Sequence, residues 1–187
     1  MKQALLVIDA QQSFRLRPQW DDALAHPYLL AQQALIDAAE ARGVPVIQVL
    51  HIDPDAHAHA PFGRGSDDVR ALDGLRIAPR ARFHKTVHSS LFGRDEQGLS
   101  LDDWLRREAI QEVLVSGIRT EQCCETTARH ASDSGYGVRF ISDATLTFPM
   151  RHANGRQYTA QEIRERTELV LTGRFARILS TQDAWLS

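Results

Sequence analysis

The strongest chemical signal in the sequence is a pair of adjacent cysteines, Cys123 and Cys124, which are the only two in 187 residues. They lie in the segment VLVSGIRTEQCCETTARHA, where a β-rich apolar run reaches Gly117 and a helical pattern follows. The first N–H groups of a helix have no intrahelical partner, and the helix dipole favours negative charge there. The pattern therefore predicts a reactive cysteine whose thiol pKa is lowered at a helix start.

Helical phase separates the two cysteines. Cys124, Ala128 and Ala131 follow the i, i+4, i+7 spacing of an apolar stripe that packs on a sheet. Cys123 lies about 100° further round the helix. If Thr120 is the N-cap, Cys123 falls in the first turn, among the free N–H groups. We therefore predict that Cys123 is the nucleophile and that Cys124 is a small buried residue.

Two charged residues follow predicted strands and could assist a thiol. Asp9 comes directly after the apolar run ALLVI, and Lys85 lies near the end of a short strand over 81–86. A thiol needs a base to remove its proton and an acid to protonate the leaving group, and an ammonium favours a thiolate. The alternatives are that Asp9 caps a turn and that Lys85 is a solvated lysine.

Lys85 is unusual in this composition. Of the 22 basic residues only two are lysines, and the other is Lys2. A compact ammonium fits a confined site that the wide guanidinium fork of arginine does not. The arginine bias therefore favours a specific role for Lys85.

Six apolar runs alternate with helical patterns along the chain. The predicted strands are 4–8, 44–52, 81–86, 112–116, 138–142 and 175–179, and the predicted helices are 29–42, 101–109, 120–135 and 160–173. Residues 15–27 read as a connection, and 53–73 and 148–158 as long loops that shape a site. The pattern predicts one α/β domain over 1–187: a three-layer α/β/α sandwich with a six-stranded, mainly parallel, Rossmann-like sheet.

Composition excludes several classes of protein. A formal net charge of −2 gives no reason to expect nucleic acid or an anionic membrane as partner, and no apolar run approaches the roughly 20 residues of a membrane helix. The N-terminal residues enter a strand directly, without a leader-like segment. Adjacent cysteines are too close for an ordinary disulfide, so we expect a reducing, cytoplasmic setting.

The segment after the second strand is rich in histidine and aspartate: His51, Asp53, Asp55, His57 and His59. No two of these histidines have the i, i+4 spacing of helical metal ligands. A solvated polar loop is the favoured interpretation, and we predict neither a metal nor another cofactor.

Three separated motifs resemble the isochorismatase-like cysteine hydrolases, a superfamily that includes nicotinamidases, N-carbamoylsarcosine amidases and isochorismatases. LLVIDAQQSF resembles the first strand of the superfamily, HKTVHSSLFG its lysine segment, and VLVSGIRTEQCCETTARHASDSGYGV its nucleophile segment. FISDAT resembles the strand that follows. The resemblance covers nearly the whole chain and implies the same α/β/α fold.

The resemblance implies a catalytic triad. Asp9 would act as acid and base, Lys85 would stabilise the thiolate, and Cys123 would attack a carbonyl carbon. It also implies a cis peptide bond at Ile118–Arg119, which would aim the backbone N–H groups of Arg119 and Cys123 at an oxyanion. Members of the superfamily commonly form dimers or larger homo-oligomers, so we expect a homo-oligomer here.

The sequence departs from the resemblance at several points. Nicotinamidases carry an Asp-x-His metal motif after the second strand, and the spacings here differ, which disfavours a metal-dependent nicotinamidase. Arg119 stands where small residues or threonine are common, so its side chain is expected to enter the pocket. The predicted pocket residues are Phe14, Phe92, Arg119 and Glu121, with His51 and His152 as weaker candidates.

Three functions remain open from the sequence. The leading prediction is a hydrolase that cleaves a C–N bond of a small amide or ureide through a thioester. The second is an isochorismatase-type hydrolase of a vinyl ether, which relies on Asp9 and needs no thiol nucleophile. The third is a catalytically silent binding protein on the same fold. The substrate of any such enzyme is a small molecule that the sequence does not specify.

Overall fold

The structure, a computed structural model, describes residues 1–186 and contains a central six-stranded parallel sheet. The strands in chain order are β1 (Gln3–Ile8), β2 (Val46–His51), β3 (Ala81–Lys85), β4 (Glu112–Ile118), β5 (Gly137–Leu146) and, after a small hairpin, β8 (Arg177–Leu179). The hairpin strands are β6 (Met150–Arg151) and β7 (Gln157–Tyr158). The order across the sheet is β3-β2-β1-β4-β5-β8. The predicted fold class is therefore confirmed.

Four α-helices flank the sheet: α1 (Asp22–Ala41), α2 (Leu101–Arg107), α3 (Glu125–Asp133) and α4 (Ala160–Leu171). Alternate residues of β1 point to opposite faces, as a strand requires. Leu6 and Ile8 join one core with α2, α3 and α4, whereas Leu5 and Val7 join the other with α1. The sheet and the helices packed on its two faces therefore form three layers, with one apolar core on each side of the sheet.

The longest helix begins earlier than the sequence predicted. Residues 22–27, interpreted as part of a polar connection, belong to the first turns of α1. The side chain of Asp21 accepts a hydrogen bond from the Ala23 N–H and caps the helix. Pro27 lies inside the helix, near its N-terminal end. Pro27 is the sixth residue of the helix and has no N–H to donate to the Ala23 carbonyl, so α1 lacks one intrahelical hydrogen bond at that position.

Two further elements differ from the sequence prediction. Strand β5 extends to Leu146 rather than ending at residue 142, and its pairing with β4 shifts register between Val115 and Gly117. The predicted loop 148–158 contains the antiparallel hairpin β6–β7. Within residues 1–186 no helix is long and apolar enough to cross a membrane.

The start of α4 offers a test of local stability. Thr159 accepts a hydrogen bond from the Glu162 N–H, and the Glu162 carboxylate accepts one from the Thr159 N–H, which completes the predicted capping box. We expect Thr159→Ala to lower the free energy of unfolding by about 1 kcal/mol without changing activity. Urea denaturation measures the first and steady-state kinetics the second. No loss of stability would show that the box contributes nothing.

Candidate active site

The carboxyl ends of β1 and β3 bring Asp9 and Lys85 to one edge of the sheet. β1 and β3 both pair with β2, in parallel, so their ends lie on the same side. The Asp9 N–H donates to the Val49 carbonyl over 2.8 Å, and Asp9 has a φ of 50°. A positive φ is better tolerated by Asp than by most residues. The turn directs the chain out of β1 immediately before the site.

The carboxyl end of β4 approaches β1 very closely at Gly117. Its φ is 125°, and a Cβ there would lie 1.9 Å from the Ile8 carbonyl oxygen. Only glycine fits this position. The Ile118–Arg119 peptide bond that follows is cis. Thr120 then donates a hydrogen bond from its hydroxyl to Thr145 on β5 over 2.8 Å, which fixes the turn into the next helix.

The nucleophile segment does not begin as predicted. Residues Thr120–Cys124 form a π-helical turn, and α3 begins only at Glu125. The flanking residue is Arg119, which makes no side-chain capping bond, so the prediction of Thr120 as N-cap is wrong. Cys123 still lies within this first turn and is 7% exposed, whereas Cys124 is 0% exposed and packs in the core beneath the sheet.

Asp9, Lys85 and Cys123 form one buried cluster. The Lys85 Nζ lies 2.8 Å from Asp9 Oδ2 and 3.3 Å from the Cys123 sulfur, and it also lies 3.3 Å from Nδ1 of His51. The side chains of Asp9 and Lys85 are both 0% exposed. The structure therefore brings together the three residues that the sequence predicted as catalytic.

Neighbouring side chains fix this cluster in place. The Gln11 side chain, fully buried, accepts from the His51 N–H over 2.7 Å and donates to the His51 carbonyl over 3.0 Å. The Ser90 N–H donates to the Thr127 hydroxyl on α3 over 2.9 Å. The first contacts tie β1 to β2, and the second ties the segment after β3 to the helix of the thiol. Gln11 was not among the predicted site residues, although a polar residue two positions after Asp9 was a usable signal.

The charges in the cluster act on one another strongly. Burial by itself lowers the pKa of Lys85, but Asp9 and Cys123 reverse this, and the net direction is upward. Lys85 is therefore a stable ammonium. Burial and then the Asp9 charge raise the pKa of Cys123 to about 12, with Lys85 opposing them. The expectation of a lowered thiol pKa is therefore wrong, because desolvation and the carboxylate outweigh the ammonium. A pKa of about 12 keeps the Cys123 thiol protonated near pH 7, beside the ion pair of Asp9 and Lys85.

This protonation state predicts slow alkylation of Cys123. Because its pKa is raised to about 12, the thiolate fraction at pH 8 is far below that of free cysteine, whose pKa is about 8.5. In Cys124→Ala protein, we expect iodoacetamide to react with Cys123 at least ~100-fold more slowly than with free cysteine. The rate should still rise above pH 10. Peptide mass spectrometry measures the rate of alkylation, with urea-unfolded protein as the control. A rate that reaches its plateau below pH 8 would contradict the raised pKa of Cys123.

A small cavity opens onto the cluster. Its volume is about 180 Å³. Its walls include Asp9 and Cys123, the predicted pocket residues Phe14 and Arg119, and the weaker candidate His51. Five further lining residues were not predicted from the sequence: Arg17, Gln19, Phe62, His88 and Gln122. Of these five, only Phe62 lies in a loop predicted to shape the site, 53–73. Arg17, Gln19 and His88 lie in irregular segments, where no periodic pattern indicates which side chains face the cavity.

Two predicted pocket residues lie elsewhere. Phe92 is 62% exposed, packs beside the His130 ring at 4.8 Å, and lines a different groove of about 610 Å³, which Lys85 also lines. Glu121 lines another cavity of about 480 Å³ together with His152. Its carboxylate lies 3.0 Å from the Arg119 Nε. Glu121 therefore contacts a residue of the cavity at Cys123, Arg119, without lining that cavity itself.

The side chains of the histidine- and aspartate-rich segment, 51–59, do not gather around a common site. His51 faces Lys85, and the Asp53 carboxylate accepts a hydrogen bond from the Asp55 N–H over 3.0 Å. Across residues 1–186 there is no group of three or more His, Cys, Asp or Glu side chains arranged to hold a metal ion. The residues that nicotinamidase-like metal binding would need therefore do not fit such an ion here.

The structure defines a three-layer α/β protein with a buried Asp–Lys–Cys cluster at the carboxyl edge of its sheet. Residues 3–180 match the family model described as the isochorismatase domain. The uncharacterized isochorismatase family protein YrdC of Bacillus subtilis is 28% identical, over 97% of this chain and 94% of that protein. Nicotinamidase 3 of Arabidopsis thaliana is 31% identical, over 78% of this chain and 73% of its own length.

A solved structure supports the same assignment of fold. The crystal structure of an isochorismatase from Pseudomonas putida KT2440 superimposes with a TM-score of 0.83, at 22% identity, over 97% of this chain and 89% of that one. The chain belongs to the isochorismatase family of hydrolases. The resemblance inferred from its motifs is therefore confirmed.

Proposed function

We propose that this protein is a cysteine hydrolase that cleaves a C–N bond of a small amide or ureide through a thioester on Cys123. The observation that carries the proposal is the position of one buried ammonium, Lys85, 2.8 Å from a carboxylate and 3.3 Å from a thiol. A carboxylate, a cation and a thiol in contact supply a base, a charge stabiliser and a nucleophile.

Asp9 is the base that activates the thiol. Its Oδ2 contacts Lys85, and its Oδ1 has no hydrogen-bond partner within residues 1–186. The Asp9 charge also raises the pKa of Cys123, second only to burial, because a nearby carboxylate disfavours the thiolate. As the sulfur attacks the carbonyl carbon, the thiol proton passes to Asp9 and the S–C bond forms.

Asp9 then serves as the acid. Its proton passes to the nitrogen of the leaving group as the C–N bond breaks, which releases ammonia or an amine and leaves a thioester on Cys123. Water attacks the thioester carbon and gives a proton to Asp9. As the S–C bond breaks, Asp9 returns that proton to the sulfur, which releases the acid product and restores the Cys123 thiol. Lys85 stays charged throughout, because its raised pKa keeps the ammonium protonated.

The backbone around Arg119 completes the proposed chemistry. We assign the N–H groups of Arg119 and Cys123 to the oxyanion that develops on the substrate carbonyl. Cys123 lies in the turn Thr120–Cys124 at the start of the helical segment, where backbone N–H groups commonly lack intrahelical acceptors. This role stays a prediction.

The dimensions of the cavity favour a small substrate. A volume of about 180 Å³ lies below the roughly 300–1,000 Å³ of pockets that bind drug-sized ligands. That accommodates a compact amide or ureide rather than a peptide. A relative named as a nicotinamidase also supports an amide substrate.

The test is a screen of small primary amides and ureides that follows ammonia release, with isochorismate included as a vinyl ether. The proposal expects turnover of at least one amide or ureide by the native chain and none by Cys123→Ala. Turnover of the vinyl ether alone, or turnover that survives Cys123→Ala, would favour the vinyl-ether hydrolase instead. No turnover of any compound, with no adduct on the thiol, would favour a binding protein.

A further inference from the structure

We propose that Arg17 binds an anionic group of the substrate, so that the amide or ureide carries a carboxylate. This inference rests on the proposed function and specifies its substrate class. It follows from one side chain of the cavity wall whose charge the protein leaves uncompensated.

The backbone holds Arg17 at the cavity. It directly follows the 3₁₀ turn Gln12–Leu16, and its N–H donates to the Phe14 carbonyl over 3.1 Å. Its own carbonyl accepts from the Trp20 N–H over 3.0 Å. Hydrogen bonds on both sides fix the position from which this side chain extends, although the side chain is exposed.

An aromatic wall supports the guanidinium. Its carbon lies 4.6 Å from the centroid of the Phe62 ring. Phe62 is 5% exposed and packs edge-on against Phe14 at 5.1 Å. Stacking on a ring occupies the face of a guanidinium and leaves its N–H donors in the plane, where a carboxylate binds in bidentate fashion. Within residues 1–186 no carboxylate lies within 4.0 Å of Arg17, and its side chain makes no hydrogen bond.

The carboxylate and the other arginine of the cavity wall are each paired with an opposite charge. Asp9 is balanced by Lys85, and Arg119 by Glu121. Burial and the Lys85 charge lower the pKa of His51, which makes its ring neutral near pH 7. Of the arginines in the wall, Arg17 is therefore the one whose charge no acidic partner balances. A positive charge in a narrow, partly apolar cavity attracts an anion.

A neighbouring arginine provides a matched comparison. Arg15 lies two positions earlier in the same turn, but its guanidinium is 3.7 Å from the Asp22 carboxylate and does not line the cavity. Its side chain is 45% exposed. Both arginines sit on the same segment, so a general effect of surface charge would act through both.

The test compares succinamate, an amide with a carboxylate, with its neutral methyl ester. In Arg17→Gln we expect kcat/KM for succinamate to fall by about 10- to 100-fold, through KM, because a charge-assisted hydrogen bond is lost. The value for the ester should change less than about twofold. Arg17→Lys keeps the charge without the fork and should fall between them. Arg15→Gln should behave as the native chain.

The outcomes separate this inference from the proposed function. Turnover of both amides with equal kcat/KM, or an equal loss on both in Arg17→Gln, would overturn the anion site and leave the cysteine mechanism standing. An equal loss in Arg15→Gln would assign the effect to surface charge and also overturn it. If these compounds are poor substrates, competitive inhibition by succinate tests the same contact. We expect the inhibition to weaken in Arg17→Gln but not in Arg15→Gln. Equal inhibition of the two variants would overturn the anion site.

Discussion

Replacing Cys123 with alanine is expected to lower kcat for an amide or ureide by about 10⁴-fold or more, because no other described group in the cavity can form the thioester. The side chain is 7% exposed and loses only its sulfur, so the fold should persist. Steady-state ammonia release measures the activity, and circular dichroism with urea denaturation verifies the fold.

The adjacent cysteine is the control. Cys124 is 0% exposed and packs in the core, and burial holds its thiol pKa well above the ordinary value. We expect Cys124→Ala to lower the free energy of unfolding by about 1 kcal/mol. Its kcat should stay within about fivefold of the native value. Equal losses of activity in the two variants would contradict the assignment of the nucleophile.

The second large effect is expected from Lys85. Lys85→Met removes the ammonium and leaves the Asp9 carboxylate buried without its partner. Breaking a buried ion pair in this way typically costs about 3–5 kcal/mol. We expect a destabilisation of that size and a fall in kcat of at least about 10²-fold. Lys2→Met is the control, because Lys2 is 54% exposed and should contribute less than about 1 kcal/mol.

A double variant separates stability from catalysis at this pair. Asp9→Asn combined with Lys85→Met removes both charges, so neither is left buried and unpaired. We expect the double variant to recover part of the stability lost in Lys85→Met and none of the activity. Urea denaturation of Asp9→Asn, Lys85→Met and the double variant gives the coupling free energy between the two side chains. Strictly additive losses of stability would contradict a direct pairing of Asp9 with Lys85.

The sequence was informative where regular structure positions the residue. Asp9 and Lys85 end apolar runs, and parallel strands place such ends on one edge of a sheet. Helical phase put Cys124 in the core, where the structure has it, because burial of an apolar stripe decides that position. The sequence alone therefore indicates a thiol, a carboxylate and an ammonium at one edge of the sheet.

The sequence was uninformative where the outcome depends on competing terms or irregular chain. The direction of the Cys123 pKa depends on whether burial and Asp9 outweigh Lys85, and no spacing reveals that balance. Phe92 follows the lysine segment directly, yet its ring lies in a different groove. Arg17 and Phe62 come from two separate irregular segments, and only their folding together shows that they share a wall.

The central claim is that Cys123 carries the acyl group of the substrate during turnover. Rapid acid quenching during turnover of an accepted amide, followed by peptide mass spectrometry, measures it directly. The account predicts an added mass equal to the acyl group on the peptide of Cys123, located on that residue by fragmentation and absent in Cys123→Ala. Turnover without any such adduct, or an adduct located on Asp9 or Cys124, would contradict it.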